Sequence, residues 1–187
     1  MRAVPLNRYL VFFLLAGGGL VVDLATKRWI FDRLGRMPNG WVEPLLPPFL
    51  GLHIGLQTSL NEGALFGMGQ GMVWLFALLS LGAAAAIFWW LFVAGAARQW
   101  VLTLALAGIM AGILGNLYDR VGLPGLIWRD SNALHKVGER VFAVRDWILV
   151  VFGHWPWPNF NIADSLLVCG ALVLVWHAFF QKDAKPA

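Results

Sequence analysis

Only ten of the 187 residues are Asp or Glu, so a carboxylate set against an apolar run needs a reason. Asp164 is such a residue. It opens "FNIADSLLVCGALVLVWHAFF" (160–180), three residues after Asn161. A structural reason is available: Asp is a good helix N-cap. Asn161 serves that purpose equally well, and would leave Asp164 in the first helical turn on the same side. A chemical role requires a second carboxylate. Two carboxylates in one site share a proton, because both cannot ionise cheaply when close together. The ionised member then takes a proton from water, and the protonated one donates to a carbonyl oxygen or a leaving amine. That is the chemistry of peptide hydrolysis, with the pair titrating as a unit.

Candidates for a second carboxylate, and for groups that hold it, recur at the ends of apolar runs. Asp23 and Lys27 close the first run. Asn61 lies in "NEGALFG" (61–67), Asn116, Asp119 and Arg120 close "GILGNLYDR" (112–120), and Asp146 lies in "VRDWI" (144–148). Each has a plainer reading. Asp23 and Lys27 form an i,i+4 pair with the acid first. Asn116 and Asp119 share a helix face, where Arg120 could hold the carboxylate. Asn61 suits a Gly-rich turn. Asp130, in "WRDSN", reads as a solvated turn residue. Metal and serine chemistry find no support. His53, His135, His154 and His177 are dispersed, no HExxH occurs, and no Ser sits in a GxSxG elbow or beside a paired Lys. "GMGQG" (67–71) lacks the spacing of a dinucleotide loop.

The elements that must position these groups follow from composition. Hydrophobic residues make up 59% and charged residues 13%, against about 25% charged in soluble domains. The excess identifies a single integral membrane domain over 1–187, and eleven Trp fit interfacial belts. The basic pI does not indicate nucleic acid, because the charges form no stripe interleaved with aromatics. Transmembrane helices are expected at about 9–27, 72–94, 99–118 and 161–181, the second within a charge-free run over 63–97. A signal peptide is the rival for the first, but no cleavage site leads into a soluble domain. Gly108, Ala111, Gly112 and Gly115 allow close contact on the third helix. Residues 30–70, rich in Gly and Pro, read as an extramembrane β-rich segment. Residues 119–160 read as a loop followed by a re-entrant or interfacial stretch over 147–158. Cys169 reads as a small buried hydrophobe. In a four-helix bundle all the polar groups named above fall at one end. A non-catalytic reading, a small four-span transporter or lipid-binding scaffold, would also gather polar groups, but more naturally at the midplane. Counting Lys and Arg gives five on the side of the termini and nine on the other, which by itself puts the termini outside.

Five blocks, "DLATK" (23–27), "NEGALFG", "GILGNLYDR", "VRDWI" and "FNIADS" (160–165), occur in the order found in bacterial lipoprotein signal peptidase, signal peptidase II. They resemble that family's D-x-x-[ST]-K, N-x-G-A-x-F, GN-x-x-DR, V-x-D-[FW] and FN-x-AD motifs, and with four spans the resemblance covers nearly the whole chain. It implies an aspartic endopeptidase of the bacterial cytoplasmic membrane. Such an enzyme removes signal peptides from diacylglyceryl-modified prolipoproteins, cutting before the lipidated Cys. It implies Asp146 and Asp164 as catalytic residues and Asp23, Lys27, Asn61, Asn116, Asp119, Arg120 and Asn161 as supporting ones. It further implies no cofactor, cytoplasmic termini with the site at the outer face (against the charge count), membrane lipid as a partner, and globomycin-type inhibitors. The GxGD signature of another intramembrane aspartyl class is absent, since Asp119 follows "GNLY". Two departures stand out. The segment between Arg120 and Asp146 is long, and "NEGALFG" carries Glu62 and Leu65 where small residues are commoner.

Overall fold

The computed structural model describes residues 3–47, 49–63, 68–131 and 134–180. Among these residues four helices are long and apolar enough to cross a membrane. They are α1 (Leu6–Leu34), α2 (Val73–Phe88, its span continuing to Val93), α3 (Trp100–Arg120) and α4 (Ile162–Phe180). α2 passes into a π-helical turn over Trp89–Val93, and Gly95, at φ 85°, starts the short turn that leads into α3. The most apolar window of α3 is 61% buried, against 17%, 22% and 11% for α1, α2 and α4. α3 is therefore the central post, and the other three turn their Leu, Phe and Trp side chains outward, as lipid-facing helices do.

Small residues let α3 hold that place. A Cβ on Gly112 would run into the Ala163 carbonyl of α4, and one on Gly19 of α1 would come 2.8 Å from the Ala111 Cβ. Gly115 admits the Asp23 carboxylate, with the Ala163 Cβ 3.2 Å from where a Gly115 Cβ would stand. Gly108 makes only an ordinary contact. Van der Waals packing at this range is the main attraction between helices in lipid.

Strands β1 (Glu43–Pro44), β2 (Leu52–Asn61), β3 (Val144–Phe152) and β4 (Trp155–Phe160) form one antiparallel sheet in that order. The expected β-rich segment over 30–70 supplies only β1 and β2. Residues 147–158, expected as a re-entrant or interfacial stretch, instead form most of a hairpin with β3 and β4 that completes the sheet. Val, Ile and aromatic side chains favour strand here, Gly153 turns the chain at φ 62°, and Pro156 and Pro158 are tolerated because β4 is an edge. Helix α1 also runs beyond the expected end near 27. Ile30 and Phe31, in its last two turns, pack with Leu56, Trp147, Val141, Ala143 and Leu126 under the sheet. Cys169 is exposed, not buried. Leu65, the rest of its motif over 64–67, and position 181 at the expected end of the fourth helix lie outside the described residues.

Candidate active site

The β2–β3 register does the first part of the assembly. Asn61 pairs with Val144 and Ser59 with Asp146, so the end of β2 lies against the start of β3. The Asn61 Nδ2 donates to Asp146 Oδ2 at 3.2 Å, and the Asn61 Oδ1 accepts from the Gly63 N–H at 3.0 Å. β4 then delivers the chain directly into α4. Asn161 caps that helix, its Oδ1 accepting from the Asp164 N–H at 3.0 Å. Asp164 reaches back, Oδ2 accepting from the Asn161 N–H at 3.1 Å. This is a reciprocal capping box built from Asn and Asp. It fixes the Asp164 carboxyl by one oxygen and leaves the other to a neighbour.

That neighbour is Asn116 of α3, whose Nδ2 donates to Asp164 Oδ1 at 2.7 Å. The fully buried Asn161 Nδ2 donates to Asp146 Oδ1 at 2.6 Å and to Asn116 Oδ1 at 3.2 Å. Two asparagines thus link the two carboxylates. Both acids line one cavity of about 750 Å³. Asn61, Asn116 and Arg120 line its polar end, while Leu167, Val168 and Cys169 carry it along α4 toward the bundle exterior. Burial pushes the Asp146 carboxyl up to about 8, and the nearby Asp164 charge pushes the same way. The hydrogen bond from Asn161, the Lys27 charge and the bond from Asn61 pull down, but less. Near neutral pH the buried Asp146 therefore keeps its proton.

A second layer lies behind the cavity. Lys27 Nζ meets Asp23 Oδ2 at 2.8 Å, Asp119 Oδ2 at 3.0 Å and Asn116 Oδ1 at 3.0 Å, all fully or nearly fully buried. Asp119 Oδ1 accepts from Arg145 Nε at 2.9 Å and Nη2 at 2.8 Å, and its Oδ2 from the Arg145 backbone N–H at 3.1 Å. Asp23 Oδ1 accepts from the Ala163 N–H in the first turn of α4 at 2.9 Å. The buried charges alternate: Asp23 minus, Lys27 plus, Asp119 minus, Arg145 plus. They sum to zero, as removal from water requires.

A family described as signal peptidase (SPase) II matches residues 15–180. The chain belongs to the signal peptidase II family. A lipoprotein signal peptidase of Rhodopirellula baltica is 45% identical over 183 residues, covering 95% of this chain and 75% of the relative. One from Serratia proteamaculans is 32% identical, covering 90% and 86%. A solved structure titled as a bacterial membrane enzyme superposes with a TM-score of 0.68 at 25% identity, covering 92% of this chain and 94% of that one. Another with the same description gives 0.72 at 22% identity, covering 95% and 94%, and supports the fold. The protein is therefore a multi-pass membrane peptidase of the signal peptidase II family, and the transporter or scaffold reading is not favoured.

The sequence-predicted residues fall into two groups around this cavity. Asn61, Asn116, Arg120, Asp146 and Asp164 line it, with Asn161 buried between the two acids, whereas Asp23, Lys27 and Asp119 form the layer behind it. One expectation needs correction. Arg120 does not hold Asp119; it turns to the cavity, its Nη2 3.4 Å from the Gly63 carbonyl oxygen and its guanidinium 5.5 Å from the Phe76 ring. The arginine on Asp119, beside Lys27, is Arg145, which sequence reading passed over because it stands beside Asp146 in a strand. Alternation along a strand sends neighbours to opposite faces, and that was the available signal. Asp130 is exposed and lines no part of the cavity. The long 121–145 segment returns to the rim through His135, which stacks on Trp128 and meets Glu62. The long segment and Glu62 thus meet in one contact.

Proposed function

We propose that Asp146 and Asp164 are the catalytic dyad of an aspartic endopeptidase that removes the signal peptide of a diacylglyceryl-modified prolipoprotein, cutting before the lipidated Cys. The observation that carries this reading is the pair of carboxylates on one cavity wall. They are bridged by Asn161 and Asn116, and among the described residues hydrogen-bond to no cation. Asp164 acts as the base that takes a proton from the attacking water. Asp146 donates its proton to the scissile carbonyl oxygen, which becomes the gem-diol hydroxyl. The diol then collapses, the C–N bond breaks, and a carboxyl proton passes to the leaving amine. The asparagines keep both carboxyls oriented through the cycle, since an amide donates to either protonation state's free oxygen. Arg120 offers a positive charge at the same wall, and the mechanism calls for no metal or cofactor.

Substrate acyl chains would lie along the outward face of α4 by Leu167 and Val168, with the peptide under the end of the sheet. We place the site at the outer face of the cytoplasmic membrane, with both termini in the cytoplasm. The adverse charge count is softened because five of the nine cations on the site side, Lys27, Arg28, Arg33, Arg36 and Arg145, are in ion pairs. Globomycin-type inhibitors are expected to occupy the same cavity.

Asn substitution at four aspartates tests the assignment. Asp146→Asn and Asp164→Asn should each lower cleavage of a lipidated precursor by about 10²–10⁴-fold while the protein still inserts and folds. Asp130→Asn should be silent, and Asp119→Asn should lose activity together with thermal stability. Asn caps helices about as well as Asp, so an active Asp164→Asn protein would reduce that residue to a cap and sink the dyad.

A further inference from the structure

A second cavity, of about 430 Å³, lies on the opposite side of β3 from the dyad. Arg145 and Asp146 are consecutive strand residues, so their side chains face opposite ways; Asp146 lines the catalytic cavity and Arg145 lines this one. Three arginines border it: Arg28 and Arg36 from α1, and Arg145. The only carboxylate among its lining residues is Asp32. Each arginine meets its carboxylate in a way that leaves donors over. Arg36 Nε lies 2.9 Å from Asp32, Arg28 Nε lies 3.7 Å from it, and Arg145 uses Nε and Nη2 on Asp119. Arg145 is a buried cation at the inner end of this cavity. The remaining wall is mostly apolar: Leu24, Ala25 and Phe31 of the spanning helix, with Leu123, Pro124 and Leu126 of the loop after α3, and Tyr118 as its one hydroxyl. A cationic end on an apolar wall, at the end of a transmembrane helix, matches one common molecule of its surroundings.

We propose that this cavity binds the phosphate of an anionic phospholipid headgroup, with the glycerol and first acyl carbons along Leu24 and Leu123. Guanidinium groups suit a phosphate geometrically, and hydrogen bonds to charged groups are the strong ones. The apolar wall favours a phosphate carried on a lipid over free inorganic phosphate. The site does not depend on the dyad assignment, and its test requires no cleavage.

Native mass spectrometry of the intact protein in a neutral detergent reads it directly. Phosphatidylglycerol should be retained in one copy and more tightly than phosphatidylcholine of the same chains. The double variant Arg28→Gln/Arg36→Gln should weaken retention by roughly tenfold or more, from loss of two charge-assisted contacts, while cleaving substrate in neutral detergent at the wild-type rate. Asp146→Asn should bind the lipid like wild type, which separates this site from the catalytic one. Inorganic phosphate should not displace the lipid at matched concentration. Unchanged phosphatidylglycerol affinity in the arginine variant would overturn the site, and displacement by free phosphate would overturn the lipid as its occupant.

Discussion

Asp23, Lys27, Asp119 and Arg145 and, one layer forward, Asp146 and Asp164 are both buried polar clusters at the same end of one bundle. In the rear cluster every acid touches a cation and the formal charges cancel. In the forward cluster two acids face each other through neutral amides, and burial drives Asp146 up to about 8 instead of being offset by an ion pair. The rear layer is built for rigidity. It ties α1 to α3 through Lys27, α3 to the sheet through Arg145, and α1 to the first turn of α4 through Asp23. The forward layer leaves Asp146 without a cation, and burial keeps its proton near neutral pH. On the proposed reading a peptidase needs both: the frame holds the elements to within hydrogen-bond tolerance, and the forward acids supply the reactivity.

Breaking the frame should be the costlier experiment for folding. Lys27→Met leaves Asp23 and Asp119 as facing buried anions, and removal of one partner of a buried pair costs about 3–5 kcal/mol. The variant is expected to lose its cooperative thermal transition or shift it steeply downward, with activity lost alongside. An unchanged melting temperature would mean that the four-charge chain is not the frame. Substitutions in the proposed dyad, by contrast, should silence cleavage in a protein that still folds and melts cooperatively, and that contrast is the sharpest check on the division of labour.

Gly115→Ala probes the same frame more gently. The added methyl would collide with the Asp23 carboxylate and press on Ala163, and overpacking of this kind costs about 1–3 kcal/mol. A lower melting temperature with a weakened but measurable rate is expected. Gly108→Ala, where the nearest atom would be 3.8 Å away, is the control and should change little.

The smallest effect per step is the pH dependence, and it has a definite sign. Asp146 titrates near 3.8 when unfolded and near 8 in the fold, so between those values the native state holds a proton that the unfolded chain has lost. Its contribution to stability is complete below the unfolded value and is lost as pH rises through the folded one. The fall is at most about 1.4 kcal/mol per pH unit, and it levels off above about 8. The melting temperature of wild type minus that of Asp146→Asn should therefore decline from acid to pH 8. Cleavage should fall above pH 8 as the Asp146 proton is lost. A difference that is flat in pH would show that Asp146 is not the protonated partner.

Much of this was legible before any fold was known. The spans follow from charge-free length, because a bilayer leaves few alternatives for 35 uncharged residues. The proposed dyad and its supporting residues are read from their recurrence at the ends of those spans, together with five ordered motifs. Other features were decided only in three dimensions. The hairpin over 144–160 pairs with β2, some ninety residues earlier, and its Trp, Pro and Gly content reads equally as interfacial chain until that partner is present. Arg145 joins Lys27 on Asp119 because strand alternation turns it away from Asp146 and α3 brings Asp119 beneath it; alternation hints at its face, but only the fold sets Asp119 there rather than beside Arg120. Asp164 illustrates the boundary best. Its sequence position makes it both a cap and a candidate acid, and the capping box confirms the first without removing the second. Only the packing of α3 against α4, which sets Asn116 on its free oxygen, aims that carboxyl into the cavity.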